Sequence, residues 1–290
     1  MKIIVLGAGG RLGAALVRDF RPKYDVAGFD HAQLDLSNLE GLREKVGAAT
    51  FDVLINAAAF TNVDACETER DRAFLINAEA TGVLAEICNE KDAKLIHVST
   101  DYVFDGEKRA PYIEEDQAHP ISAYGESKLA GEKNVLAAED GHLVVRVSWV
   151  FGPDRPSFID AMIKRAQQDE KIDAISDKFS TPTYTHDIAR MLPQFFDRSG
   201  AGGILHFANA GKCSWQEYAQ WALDCCRDAG IPLKGRTVGA LKLSEMTNWV
   251  ARRPVYSVLS TAKYTELTGT APRAWREAVA DYITHFYSKK

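Results

Sequence analysis

Residues 1–20 leave this chain few folds to choose from. Lys2 to Leu6 is a short apolar run, Gly7-Ala8-Gly9-Gly10-Arg11-Leu12-Gly13 follows it, and Leu12, Leu16, Val17 and Phe20 then recur at helical spacing. A strand that empties into a glycine turn and opens a helix is the start of a βαβ unit. There the missing side chains let backbone approach a pyrophosphate seated on the helix N-terminus. A strict G-x-G-x-x-G needs glycine at position 12, where Leu12 stands, whereas Gly7, Gly10 and Gly13 fit G-x-x-G-x-x-G. The expected fold is therefore α/β, a Rossmann-type doubly wound parallel sheet. Gly7, Gly10, Arg11, Leu12 and Gly13 are its cofactor turn.

The next elements continue that pattern. Asp25 to Phe29 reads as a second strand ending at Asp30, where a carboxylate meets the adenosine ribose, favours a free 2′-hydroxyl and repels a 2′-phosphate. Asp35 and Leu36 open an adenine-side loop in which Asp35 serves either the adenine or the turn, and Ser37 with Glu40 predicts a capping box. Asp52 to Asn56 is an apolar strand emptying into Ala57, Ala58 and Ala59, residues small enough to leave room for a cofactor. One helix is expected over most of Asp64 to Asn89. The strand Lys94 to Val98, with His97 as packed core, delivers Ser99-Thr100-Asp101 to the same sheet edge. A hydroxyl there binds a substrate oxygen or caps a turn.

A charged, proline-containing loop then leads to Tyr124-Gly125-Glu126-Ser127-Lys128. Residues four apart share a helix face, so the Tyr124 phenol and the Lys128 ammonium can occupy one small space. A free phenol titrates near ~10, and a fixed positive charge beside it lowers that value toward useful acid chemistry. A further strand, Leu143 to Val147, ends at Ser148-Trp149.

In this order, the residues resemble an extended short-chain dehydrogenase/reductase, and specifically the dTDP-4-dehydrorhamnose reductase family. The resemblance rests on Gly7 to Gly13, Asn56 to Ala59, Ser99-Thr100-Asp101-Tyr102-Val103-Phe104-Asp105-Gly106, Tyr124 to Lys128 and Ser148-Trp149, and it runs through most of the chain. It implies a reductase of the C4 ketone of a nucleotide-linked 4-keto-6-deoxy sugar. Thr100, Tyr124 and Lys128 would be its catalytic residues, with Tyr124, Lys128 and Ser99 also touching the cofactor. Thr61, Val63, Thr100, Asp101, Tyr102, Trp149 and Arg253 would lie on the substrate side, although Trp149 could equally be core.

The family commonly uses NADPH and several members accept both cofactors, while Asp30 pulls toward NADH. Dual use leaning to NADH is the expectation, with Arg11 and His31 as cations that could soften the charge of Asp30, or Arg11 turned to solvent. Tyr256 replaces the asparagine of the family's R-P-x-N-S segment, so the nucleotide and sugar stay open. Ala15 stands where some members carry a metal-linked glutamate at a dimer interface, so no metal is carried over and monomer or homodimer remain. Two rival readings share the fold: a sugar-nucleotide epimerase or dehydratase, and a non-catalytic regulatory subunit.

Composition sets the remaining bounds. At 290 residues with 46% hydrophobic and 26% charged residues and a net charge of -5, the chain suits a soluble protein without nucleic-acid partners. Arg252-Arg253 and Lys289-Lys290 read as solvated ends. No apolar run reaches the ~20 residues of a membrane span. The odd number of cysteines, without C-x-x-C, points to the cytoplasm rather than a disulfide framework. Residues 1–152 are expected to form the cofactor domain and 153–290 a smaller mixed α/β substrate domain, the chain returning to the first sheet around 181–209. Helices are expected near Ser157 to Gln168 and His186 to Arg198, and from a Ser214/Glu217 capping box through Ala229.

Overall fold

Along the first strand Ile3 and Val5 face one way and Ile4 and Leu6 the other, and all four are buried. A strand covered on both faces belongs inside a parallel sheet with helices on each side. The computed structural model, which describes residues 1–138, 141–197 and 200–287, has that architecture. Strands β1 (Lys2–Leu6), β2 (Asp25–Phe29), β3 (Val53–Asn56), β4 (Lys94–Thr100) and β5 (Leu143–Val147) join a sixth strand, Gly203–His206, in one parallel sheet. Its order is Gly203–His206, β5, β4, β3, β1, β2, so the winding reverses between β1 and β3. Ligands of open α/β sheets sit outside the strand carboxyl ends at such a reversal.

The helices of the first half are α1 (Arg11–Phe20), α2 (Leu39–Ala48), α3 (Val63–Thr68), α4 (Arg70–Phe74), α5 (Ala80–Glu90) and α6 (Ala123–Ala138). Helix α1 packs with Thr185–Met191 on one face, while α2, α5 and α6 pack together on the other. Register matters for the site: Leu6 pairs with Asn56, Asn56 with His97, and Thr100 with Val147. A second core of Phe151, Ile159, Met162, Tyr218, Trp275 and Tyr282 gathers the later helices Phe158–Gln168, Trp215–Asp228 and Trp275–Phe286.

Three local expectations change. The helix expected over 64–89 is interrupted, because a π turn at Leu75–Glu79 turns Asn77 inward to bond both backbone groups of Phe60 and the Ser127 hydroxyl. Ser37 does not cap α2. Asp35 takes the Ser37 amide at 2.9 Å, which delays the helix by one residue and leaves Asn38 to cap Gly41 N–H at 3.0 Å. The helix expected from His186 to Arg198 runs over Thr185–Met191 and tightens into a 3₁₀ turn, Leu192–Phe195, at Pro193. Its expected end at Arg198, and Lys289-Lys290, lie outside the described residues. The Ser214/Glu217 capping box is present. Among the described residues no helix is long and apolar enough to cross a membrane.

Candidate active site

A cleft of about 890 Å³ opens along the strand carboxyl ends and runs from the glycine turn to Trp149. At its start Gly7 has φ +77°, and a Cβ there would fall 2.8 Å from Ala58 N, so β1 and β3 close together only because that residue is glycine. A Cβ on Gly13 would lie 2.1 Å from Gly7 O, which lets α1 start directly under the turn. No side chain caps α1, and its first residues, Gly10, Arg11 and Leu12, line the cleft. An uncapped helix start beside glycine backbone fits the diphosphate of a dinucleotide. Asp30, Asp35, Leu36 and Ala57 to Ala59 line the same end, together with His31, Phe60, Arg72 and Arg155.

Arg11 takes neither of the two places that the sequence leaves open to it. Its guanidinium donates to the carbonyls of Val150, Arg155 and Pro156 and staples α1 to the chain beyond β5. Arg155, which donates to Gly9 O at 2.8 Å, and His31 line the same end of the cleft as Asp30. Arg155 lies outside every motif, and nothing in its local sequence marks it.

The other end of the cleft holds Ser99, Thr100, Asp101, Tyr102, Tyr124, Lys128 and Trp149, with Thr61 and Val63 opposite. Helix α6 starts at Ala123, so Tyr124 and Lys128 sit on successive turns facing the end of β4. Burial raises the Tyr124 phenol well above its usual range; the nearby Thr100 hydroxyl pulls it back, while Asp101 raises it further. Lys128 is 1% exposed, and burial pushes its ammonium down to about 8. Its Nζ donates to Val98 O at 2.8 Å and meets His97 Nε2 at 3.0 Å. The Lys128 nitrogen that the Y-x-x-x-K spacing brings to the cleft is thus also held by β4.

Asp101 is buried and held by four hydroxyls. Its Oδ2 accepts hydrogen bonds from the hydroxyls of Ser148 (3.1 Å), Ser180 (3.1 Å) and Ser257 (2.5 Å), and its Oδ1 accepts one from Thr100 (3.2 Å). Lys178, fully buried, lies over the rings of Tyr102 at 5.4 Å and Trp149 at 5.6 Å and donates to Pro254 O. Burial lowers its ammonium to about 8, against the pull of Asp101. Trp149 satisfies both readings that the sequence allowed. It lines the cleft, and it packs against Trp215 and Tyr218. Its φ of +41° is strained for so large a side chain, and its buried Nε1 has no hydrogen-bond partner among the described residues.

Two expected site residues are engaged elsewhere. Ser99 lines the cleft, but its hydroxyl donates at 2.5 Å to Glu132, which Arg146 grips at 2.9 and 2.7 Å. Arg253 is not a lining residue; it pairs with Asp64 through both guanidinium nitrogens at 3.0 and 2.8 Å and stacks on Trp249. Arg252 is exposed, whereas Arg253 is not a solvated end.

A family model described as RmlD substrate binding domain matches residues 1–288. The chain is 39% identical to the dTDP-4-dehydrorhamnose reductase of Mycolicibacterium smegmatis, over 97% of this chain and 85% of that protein. It is 35% identical to the spore coat polysaccharide biosynthesis protein SpsK of Bacillus subtilis, over 97% and 96% of the two chains. The chain belongs to the dTDP-4-dehydrorhamnose reductase family. The crystal structure of the Bacillus anthracis dTDP-4-dehydrorhamnose reductase in complex with NADP superposes on this family member with a TM-score of 0.90 at 32% identity, covering 97% of this chain and 98% of that one.

Proposed function

We propose that the protein is an NAD(P)H-dependent reductase of the C4 ketone of a dTDP-linked 4-keto-6-deoxy sugar. The observation that carries this reading is the convergence of Thr100, Tyr124 and Lys128 on one end of the same cleft that begins at the glycine turn. The cofactor, when bound, supplies the hydride. Gly7, Gly10, Leu12, Asp30 and Ala57 to Ala59 would hold it, with Lys128 reaching its ribose. Gly13 contributes by letting α1 approach the turn.

The remaining work belongs to side chains of this chain. With substrate bound, Thr100 would turn its single hydroxyl hydrogen from Asp101 to the ketone oxygen. Tyr124 gives its proton to that oxygen as negative charge develops, and Thr100 strengthens its bond at the same moment. Burial keeps the phenol protonated until then, as a reduction requires. Asp101, fixed by its serines, orients Thr100, and Tyr102 and Trp149 wall the sugar. The unpartnered Trp149 Nε1 is a donor free for a sugar or phosphate oxygen. The chain divides near residue 152 into a cofactor half and a half that carries the sugar nucleotide. Arg253 acts on the substrate side by holding the segment around Trp249 against Asp64. NADH and NADPH are both used, Asp30 favouring NADH.

Mixing the protein with NADH or NADPH and a panel of 4-keto sugar nucleotides should consume the reduced cofactor with at least one dTDP-linked substrate. Retention of absorbance with every 4-keto substrate would overturn the reading. Cofactor recycling that yields a C5-inverted or dehydrated sugar would favour an epimerase or dehydratase instead.

A further inference from the structure

His97 has the most determinate surroundings of any polar side chain that the mechanism above leaves unused. It sits in β4, fully buried, where an apolar run suggests packed core, yet both ring nitrogens meet polar partners. Nδ1 faces Asn56 Nδ2 at 3.2 Å and Nε2 faces Lys128 Nζ at 3.0 Å. The direction of these bonds follows from one further contact. Asn56 Oδ1 accepts the Ala58 N–H at 3.2 Å, so the amide nitrogen of Asn56 must be the atom turned to His97. An amide nitrogen only donates, so Nδ1 accepts and a neutral imidazole carries its proton on Nε2. That proton points at Lys128.

An ammonium has three donors and no acceptor, whereas an amine has a lone pair. An amine at Lys128 satisfies every contact: one hydrogen to Val98 O, the lone pair toward His97 Nε2–H, and one hydrogen toward the cleft. An ammonium would set donor against donor. We propose that Asn56 and His97 form a directional hydrogen-bond chain that favours the uncharged, proton-accepting amine of Lys128 over its ammonium in the cofactor-free protein, His97 being a positioning residue. This deepens the reductase reading, and rests on it only for the use to which the lysine is put.

Burial alone brings Lys128 to about 8, and a hydrogen bond to the neutral form acts in the same direction. The charged and titratable groups around the lysine do not cancel this. From α6, Glu132 favours the ammonium but is gripped by Arg146 of β5 and by Ser99, and Tyr124 is held protonated by burial. From β4, His97 itself is kept neutral by burial. An amine beside a phenol holds the same number of protons as an ammonium beside a phenolate, so the pair titrates as a unit. When the Tyr124 O–H bond breaks and the product O–H bond forms, the pair is one proton short, and solvent supplies it.

The test is nitrogen-15 NMR of the cofactor-free protein. His97 should show the Nε2–H tautomer at neutral pH, and Lys128 should titrate below the value of about 8 that burial sets without the chain. An Nδ1–H tautomer, or a Lys128 titration at or above about 8, overturns the proposal. Asn56→Asp offers a carboxylate that accepts from Nδ1–H. It should reverse the tautomer and move the Lys128 titration up by about one pH unit or more; an unchanged tautomer overturns the chain. Should that variant fail to fold, the wild-type spectrum decides. Cofactor affinity, read by nicotinamide fluorescence, should weaken as pH rises through the Lys128 titration, and later in Asn56→Asp. Absence of cofactor binding at every pH would remove the reductase reading while leaving the tautomer result intact.

Discussion

At the scale of single residues, the pairing of Thr100 with Tyr124 makes the sharpest demand. Tyr124→Phe removes only the proton donor, so it should keep cofactor affinity and lose turnover by about 10²- to 10⁴-fold. Thr100→Val should lower kcat more than it raises KM, because its bond strengthens as the carbonyl oxygen gains charge; steady-state kinetics on both variants check this. Thr100, Tyr124 and Lys128 could be read from the sequence because each carries a reactive group inside a short motif. His97 could not. Its partners lie 41 and 31 residues away, and inside an apolar run a histidine looks like filler until the sheet register sets it beside Asn56. The serines around Asp101 were hidden for the same reason, since no local pattern joins residues 148, 180 and 257.

Among the elements, the strands were the most legible, because burial on both faces writes a continuous apolar run. Helix starts and breaks were less so: Ser37 and Glu40 have the right spacing for a cap, but Asp35 competes for the Ser37 amide and wins. The interruption at Leu75–Glu79 serves Asn77, whose partners Phe60 and Ser127 belong to other elements. Loop contacts bear on the cofactor question too. With Arg11 committed to three carbonyls, Arg155, at the Asp30 end of the cleft, is a guanidinium that could answer a 2′-phosphate. Asp30→Ala should raise kcat/KM for NADPH relative to NADH, and Arg155→Ala should lower it, each by about tenfold, or ~1.4 kcal/mol. Arg11→Ala should instead cost stability and change both cofactors alike. Paired kinetics with the two cofactors distinguish these outcomes.

For the molecule as a whole, buried histidines set the response to acid. Burial, with Arg146 nearby, brings His206 down to about 3, and His97 also lies well below its usual value. The unfolded chain binds these protons near pH ~6.5 and the folded chain does not, so stability is complete above that pH and falls below it. The slope is about 1.4 kcal/mol per pH unit for each histidine. Urea unfolding between pH 7 and 5 should show this decline, and His206→Gln should flatten it by one histidine's share.

The carboxylate of Asp101 also has a place in time. The chain is made from its N-terminus, and Ser257 follows Asp101 by 156 residues. At ribosomal speeds of about 5–20 residues per second, roughly ten to thirty seconds separate the two. Through that interval the glycine turn, the first five strands and the Tyr124 helix can assemble, while the acid beside Thr100 still lacks its last hydroxyl. A chain cut between His206 and Ser257 would hold every strand of the central sheet but lack the last hydroxyl on Asp101.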